Sequence, residues 1–202
     1  LDTGAGTDTL TYNGVLGLTE NISVAGSATA NSGKITVPGV VTLSFTNSEH
    51  IVGNGNLSDS DTFTFVGTND PDQFEINLVA AGSAADPVLK LLSAASSALL
   101  LTLDNYTGFS TLKANGLDGT DIFNVYTADI GPGRNLFLDG GLPSGKKKST
   151  DKLNVFYTPP RPRIIHSTET QDPDAGLVDL DYDTASFLVQ YDDMELVVVS
   201  RL

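Results

Sequence analysis

Asp121-Ile122-Phe123-Asn124-Val125 is an aspartate followed by two large apolar residues spaced by one. The same phrase returns as Asp8-Thr9-Leu10-Thr11-Tyr12, Asp61-Thr62-Phe63-Thr64-Phe65 and Asp151-Lys152-Leu153-Asn154-Val155, with a looser copy at Asp72-Gln73-Phe74-Glu75-Ile76. Strand side chains alternate between faces, so this spacing sends both large residues to one side and the polar ones to the other. One such strand cannot bury its apolar side alone, and its copies must stack on one another. The pattern predicts an all-β chain built as a β-solenoid. The Phe, Leu and Val pairs are expected as stacked core rather than as the lining of a ligand groove.

Working outward, a second phrase keeps step with the first. Phe45-Thr46-Asn47-Ser48-Glu49-His50-Ile51 resembles Tyr106-Thr107-Gly108-Phe109-Ser110-Thr111-Leu112 and Tyr191-Asp192-Asp193-Met194-Glu195-Leu196-Val197. The first two copies lead into Asn54-Gly55 and Asn115-Gly116, dipeptides that suit a tight bend. Alternation along the whole chain predicts seventeen short strands separated by turn signals such as Asn13-Gly14, Pro38-Gly39 and Gly140-Gly141. Helix competes only at 87–103, where Pro87 to Leu92 follow Asp86. Alignment with Val40 to Phe45 makes that stretch strand, serine-rich turn, strand. The chain is expected as one segment, 1–202, with loose units 4–53, 54–114 and 115–202, the last broken by Pro159-Pro160-Arg161-Pro162. A β-sandwich is the alternative architecture, since short strands at such intervals occur in both.

A net charge of −14 excludes nucleic acid as a general partner, because phosphate binding requires a basic surface. Basic residues concentrate at 134–163 as Arg134, Lys146, Lys147, Lys148, Lys152, Arg161 and Arg163. An exposed lysine loop offset by acidic neighbours accounts for them, and a dock for an anionic glycan or partner is the sharper alternative. There is no cysteine, hence no disulfide framework and no thiolate metal site. No apolar run approaches the ~18 residues that mark a membrane-spanning helix. Leu1-Asp2 begins in mid-phrase, which reads as a piece of something longer.

The runs Gly4-Ala5-Gly6-Thr7-Asp8-Thr9-Leu10-Thr11 and Gly116-Leu117-Asp118-Gly119-Thr120-Asp121-Ile122-Phe123 resemble two related repeats. One is the glycine/aspartate nonapeptide of calcium-binding β-rolls. The other is the Gly-x-Asp-Thr-Phe-x-Val repeat of very large surface and secreted proteins of planctomycetes and related marine bacteria, where it alternates with a phrase like that at 45–55. The resemblance implies a right-handed parallel β-helix within a larger extracellular protein of structural or adhesive role. Shared calcium ladders need nonapeptides in direct succession, whereas here the aspartate copies are scattered along the chain. The aspartates are therefore expected to hydrogen-bond backbone at turn corners, with a structural calcium ion at Asp8 or Asp121 as the lesser alternative.

Catalytic signals are sparse. His50 and His166 are the only histidines, and neither accompanies a nucleophile elbow. Asp179, Asp181 and Asp183 would share one strand face, with Arg161 or Arg163 as a cation, the kind of grouping a polysaccharide lyase or hydrolase uses. Gly131-Pro132-Gly133 is a turn and no phosphate cradle. No residue is assigned a catalytic, cofactor-binding or metal role. The reading is a non-catalytic structural or adhesive segment of a secreted or cell-surface bacterial protein. Its partners would be its own neighbouring repeats, other copies, or glycans. The alternatives are a polysaccharide-acting enzyme on the same fold and a sandwich module binding glycan or protein.

Overall fold

The structure, a computed structural model, describes residues 1–55, 60–79, 88–105, 108–129, 135–141, 150–157, 162–168, 172, 174–182 and 185–202. Seventeen strands are present: β1 (Thr9–Asn13), β2 (Asn21–Gly26), β3 (Gly33–Val37), β4 (Val41–Phe45), β5 (His50–Asn54), β6 (Thr62–Val66), β7 (Asp72–Val79), β8 (Val88–Ser93), β9 (Leu99–Asn105), β10 (Thr111–Asn115), β11 (Ile122–Asp129), β12 (Asn135–Asp139), β13 (Lys152–Tyr157), β14 (Arg163–Thr168), β15 (Gly176–Tyr182), β16 (Ala185–Asp192) and β17 (Leu196–Arg201). Among the described residues there is no helix, and 88–103 is strand, turn, strand as its serine-rich centre suggested.

The strands form two mixed, open sheets, ordered β1-β5-β9-β8-β7-β11-β13-β17 and β14-β15-β16-β12-β10-β6-β2-β3-β4. Antiparallel pairing is confined to the pairs that β3–β4, β8–β9 and β14–β15 make among themselves and with one neighbour each. With those three hairpins set aside, the chain alternates strictly between the sheets. β1, β5, β7, β11, β13 and β17 fall in the first; β2, β6, β10, β12 and β16 fall in the second. Every contact between neighbouring members of this set is parallel.

The spacing of two then does its work. Phe74, Phe123, Leu153 and Val197 are register partners in the first sheet, as are Ile76, Val125, Val155 and Val199. In the second sheet Ile22, Phe63, Leu112, Leu136 and Val189 form one column, and Val24, Phe65, Ala114, Leu138 and Tyr191 the next. Both sets feed a single core. Phe74 and Phe123 stack with ring centroids 4.6 Å apart, while Phe65 of the second sheet meets Phe74 edge-on at 6.3 Å. Each such side chain stabilises by roughly 1.5–3 kcal/mol on burial. Gly53 is small because Phe63 and Phe109 cross in front of it, edge to face at 5.1 Å. The apolar residues left half-buried against the core, Leu10, Tyr12, Ile164, Val197 and Val199, all lie on the edge strands β1, β14 and β17.

Candidate functional site

The chain's acids gather where strands begin. Asp8, Glu20, Glu49, Asp61, Asp121, Asp151 and Glu195 each stand immediately before a strand, and Asp72 opens β7. Two residues ahead of Asp8, Glu49, Ser110, Asp121 and Glu195 the backbone turns to positive φ, at Gly6, Asn47, Gly108, Gly119 and Asp193. Asn47 (62°) and Asp193 (54°) hold the left-handed region, which their short polar side chains tolerate better than others. The two phrases of the sequence are thus one bend, and Ser110 fills the acid's place ahead of β10. The scattered spacing of the aspartate copies also resolves: Asp61 leads into the second sheet, whereas Asp8, Asp72, Asp121 and Asp151 lead into the first.

Successive acids bind one another's backbone. The Asp72 amide donates to Asp121 Oδ1 at 2.7 Å, and the Asp121 amide to Asp151 Oδ1 at 2.6 Å. The Glu20 amide donates to Asp61 Oδ1 at 2.8 Å and the Asp8 amide to Glu49 Oε2 at 2.9 Å. The carboxyls fold onto glycines that close the preceding strands: a Cβ on Gly67, Gly116 or Gly140 would strike Asp72, Asp121 or Asp151 respectively. Those glycines continue the second sheet, with Gly67 N–H to Asn115 O and Gly116 N–H to Asp139 O both at 2.8 Å.

Asp61, Asp72, Asp121 and Asp151 are fully buried. Burial, and then the charges of Asp151 and Asp72, push the Asp121 carboxyl up to about 8 against the lowering effect of the Asp72 amide. Burial, joined by Glu195, Asp193 and Asp139, pushes Asp151 up to about 7. Asp72 is raised chiefly by burial, although Thr68 donates to it through N–H at 2.5 Å and Oγ1 at 3.0 Å. Asp121 Oδ2 and Asp72 Oδ1 are buried without a hydrogen-bond partner.

A groove of about 630 Å³ crosses the outer face of the second sheet. Thr64, Lys113, Phe137 and Gln190 stand in register across β6, β10, β12 and β16 as its floor, with Asp139 and Asp192 at its rim. Phe137 is 37% exposed, and Lys113 Nζ lies 5.7 Å from its ring centroid. Burial, then the charge of Asp192, raises the Asp139 carboxyl, against the lowering effect of the Gly141 amide that donates to it at 3.0 Å. Sequence reading missed this groove because its residues are outward-facing members of strands whose inward partners carry the repeat. The alternation of Lys113 with Leu112 and of Phe137 with Leu136 was the available signal.

The residues singled out for chemistry do not converge. His50 of β5 pairs with Asp104 of β9, and His166 of β14 bonds Tyr191 Oη at 2.7 Å, at opposite ends of different sheets. Among the described residues no serine or threonine hydroxyl hydrogen-bonds to either ring. Asp181 stands directly across from Arg163, and Asp179 across from Ile165. Asp183, Arg161, Arg134, Lys146, Lys147, Lys148, Pro159, Pro160, Tyr106 and the Gly131-Pro132-Gly133 turn lie outside the described residues. The Asp121 carboxyl accepts a backbone amide as expected of a corner aspartate, whereas Asp8 is held through its own amide by Glu49 and its Oδ2 is buried without a partner. Among the described residues no three His, Asp or Glu side chains converge as a metal cage. No protein family, curated protein or solved structure matches this chain.

Proposed function

We propose that the chain is a non-catalytic structural segment of a secreted or cell-surface protein, coiled as an irregular parallel β-helix of the large bacterial Gly-x-Asp-Thr-Phe-x-Val repeat type. The supporting observation is the alternation of parallel strands between two sheets, with an acid at the head of β1, β2, β5, β6, β7, β11, β13 and β17. Asp61, Asp121 and Asp151 are engaged in accepting the backbone amides of Glu20, Asp72 and Asp121, which head earlier strands of the chain. The right-handed sense follows the general rule for parallel crossovers. Strands about 4.8 Å apart put a sheet of this width near 40 Å along the stacking direction, which suits a stiff spacer whose neighbours are further coils of its own kind. Incubation with a panel of acidic and neutral polysaccharides tests the non-catalytic reading. Release of new reducing ends or unsaturated uronate ends overturns it.

Adhesion to glycan is the second reading, favoured by the exposed Phe137 in a groove of polar residues. A pyranose ring stacks on such an aromatic face, and Gln190, Asp139 and Asp192 supply hydrogen-bonding partners for hydroxyls. Titration calorimetry with neutral oligosaccharides tests it. Heat of binding that Phe137→Ala abolishes supports adhesion at this groove, and its absence across the panel removes the groove from the account.

A further inference from the structure

We propose that the stacked carboxyls of Asp72, Asp121 and Asp151 form a proton-operated latch between strands β7, β11 and β13, closed while the middle carboxyl is un-ionised and loosened when the row becomes charged.

The geometry is a row of like groups in register on adjacent strands. All three acids are buried, and consecutive members are joined by the 2.7 and 2.6 Å amide-to-carboxylate bonds. No lysine or arginine among the described residues forms an ion pair with Asp72 or Asp121. Several acids among the described residues stand close to it. Asp70 lies beside Asp72, Asp118 sits in the bend before Asp121, and Glu195, Asp193 and Asp139 surround Asp151. Like charges in register on adjacent strands are destabilising.

The far oxygen of Asp121 points to the same answer. Oδ2 has no partner, and it shares with Gly140 O the space that a Cβ on Gly116 would fill. Two acceptors converging on one buried spot are satisfied when one carries a proton. A carboxylic acid there donates through Oδ2 toward the Gly140 carbonyl while Oδ1 continues to accept from the Asp72 amide. Ionisation removes that donor, sets Oδ2 against a carbonyl oxygen, and places a charge between Asp72 and Asp151.

The sign follows from proton linkage. The folded chain holds protons that the unfolded chain releases near pH 4, so stability is greatest in mild acid. It is lost as pH rises through about 7 at Asp151 and about 8 at Asp121. The midpoint of thermal unfolding is expected to fall by about 5–10 °C between pH 5 and pH 9. Asp121→Asn keeps the shape and accepts the Asp72 amide through Oδ1, and its Nδ2 supplies the donor without a titrating proton. This variant should match the native chain at pH 5 and melt higher at pH 9. Equal loss at both values overturns the latch. Should the variant not fold, carbon-13 titration of the native aspartate carboxyls decides: midpoints near 4 for Asp121 and Asp151 refute the proposal, and midpoints above 6 support it. A final arm adds calcium chloride at pH 9. A rise in melting temperature that Asp121→Asn abolishes makes the row a cation site, which also overturns the latch.

Discussion

Replacing Gly116 by alanine should be far more damaging than its chemistry suggests. Gly116 lies outside the positive-φ set, so alanine brings no backbone strain there and the whole effect is one of space. The new Cβ would stand 2.8 Å from Gly140 O and 2.8 Å from Asp121 Cγ, and closer still to Oδ2. Gly140 O belongs to the adjoining chain segment and cannot yield, so the carboxyl must swing away. Overpacking of this kind costs about 1–3 kcal/mol. The swing also strips the Asp72 amide of its acceptor, and an orphaned buried donor costs about 1–3 kcal/mol more. The expected loss is therefore about 2–6 kcal/mol, read from urea unfolding at pH 5, below the values of about 8 for Asp121 and about 7 for Asp151. Gly39→Ala is the control. Gly39 has φ +76° and nothing within 4 Å of its would-be Cβ, so alanine there costs only the left-handed penalty of about 1–2 kcal/mol. The double variant Gly116→Ala/Asp121→Ala removes one colliding partner, so its cost should fall below the sum of the single costs by about 0.5–3 kcal/mol. A Gly116→Ala loss no greater than that of Gly39→Ala, or strict additivity in the double variant, refutes the account of the bend.

Other outcomes follow from the same packing. Phe123→Ala opens a cavity between Phe74 and Leu153 in the column and should cost about 3–5 kcal/mol, measured by denaturant midpoint; a cost under 1 kcal/mol sinks the column. On the outer face Asn124 donates to Glu75 at 2.7 Å and accepts from Asn154 at 2.7 Å, so Asn124→Ala should cost about 0.5–1.5 kcal/mol and leave the unfolding slope unchanged. Tyr126, stacked on Phe156 at 5.0 Å, is pushed up to about 12 by burial and then by Glu75. The folded chain keeps this proton above pH 10, so its contribution is lost as pH climbs from about 10 to about 12. Ultraviolet titration should show it ionising late, and a Tyr126 midpoint near 10 contradicts the placement.

Strand positions were legible because burial leaves a period of two in every phrase: Phe63 and Phe65 alternate with Thr62 and Thr64 as plainly in sequence as in space. The bend was half legible. Asn47, Gly108 and Asp193 look unrelated as residue types, and only the shared need for positive φ makes them equivalent. Which sheet a phrase enters was not legible at all. The inward pairs of β6 and β11 are equally apolar, and the sheet is decided by how many bends precede a strand. The acid row was hidden for a similar reason. Asp121 is drawn from the same composition as Asp118 three residues earlier, which is only half-buried, and the burial of Asp72, Asp121 and Asp151 goes with glycines at 67, 116 and 140 that leave room for their carboxyls.

The three hairpins explain how an irregular sequence sustains a regular stack. β3–β4 widens the second sheet beyond β2, while β8–β9 is inserted into the first sheet between β5 and β7. The two insertions meet. Leu91 of β8 abuts the end of β2 at Gly26, and the Asn31 amide in the β2–β3 turn donates to Leu100 O of β9 at 2.7 Å. Adding two strands to one sheet alone would put every later bend out of step, because each bend must join strands at the same level. Adding two to each at the same level keeps Asp72, Asp121 and Asp151 in line. The hairpin β14–β15 has no counterpart in the first sheet, and it therefore lies at the edge, where Ile164 is half-buried and Ile165 and His166 are exposed. Insertions in such a chain are tolerated in facing pairs, or singly at an end.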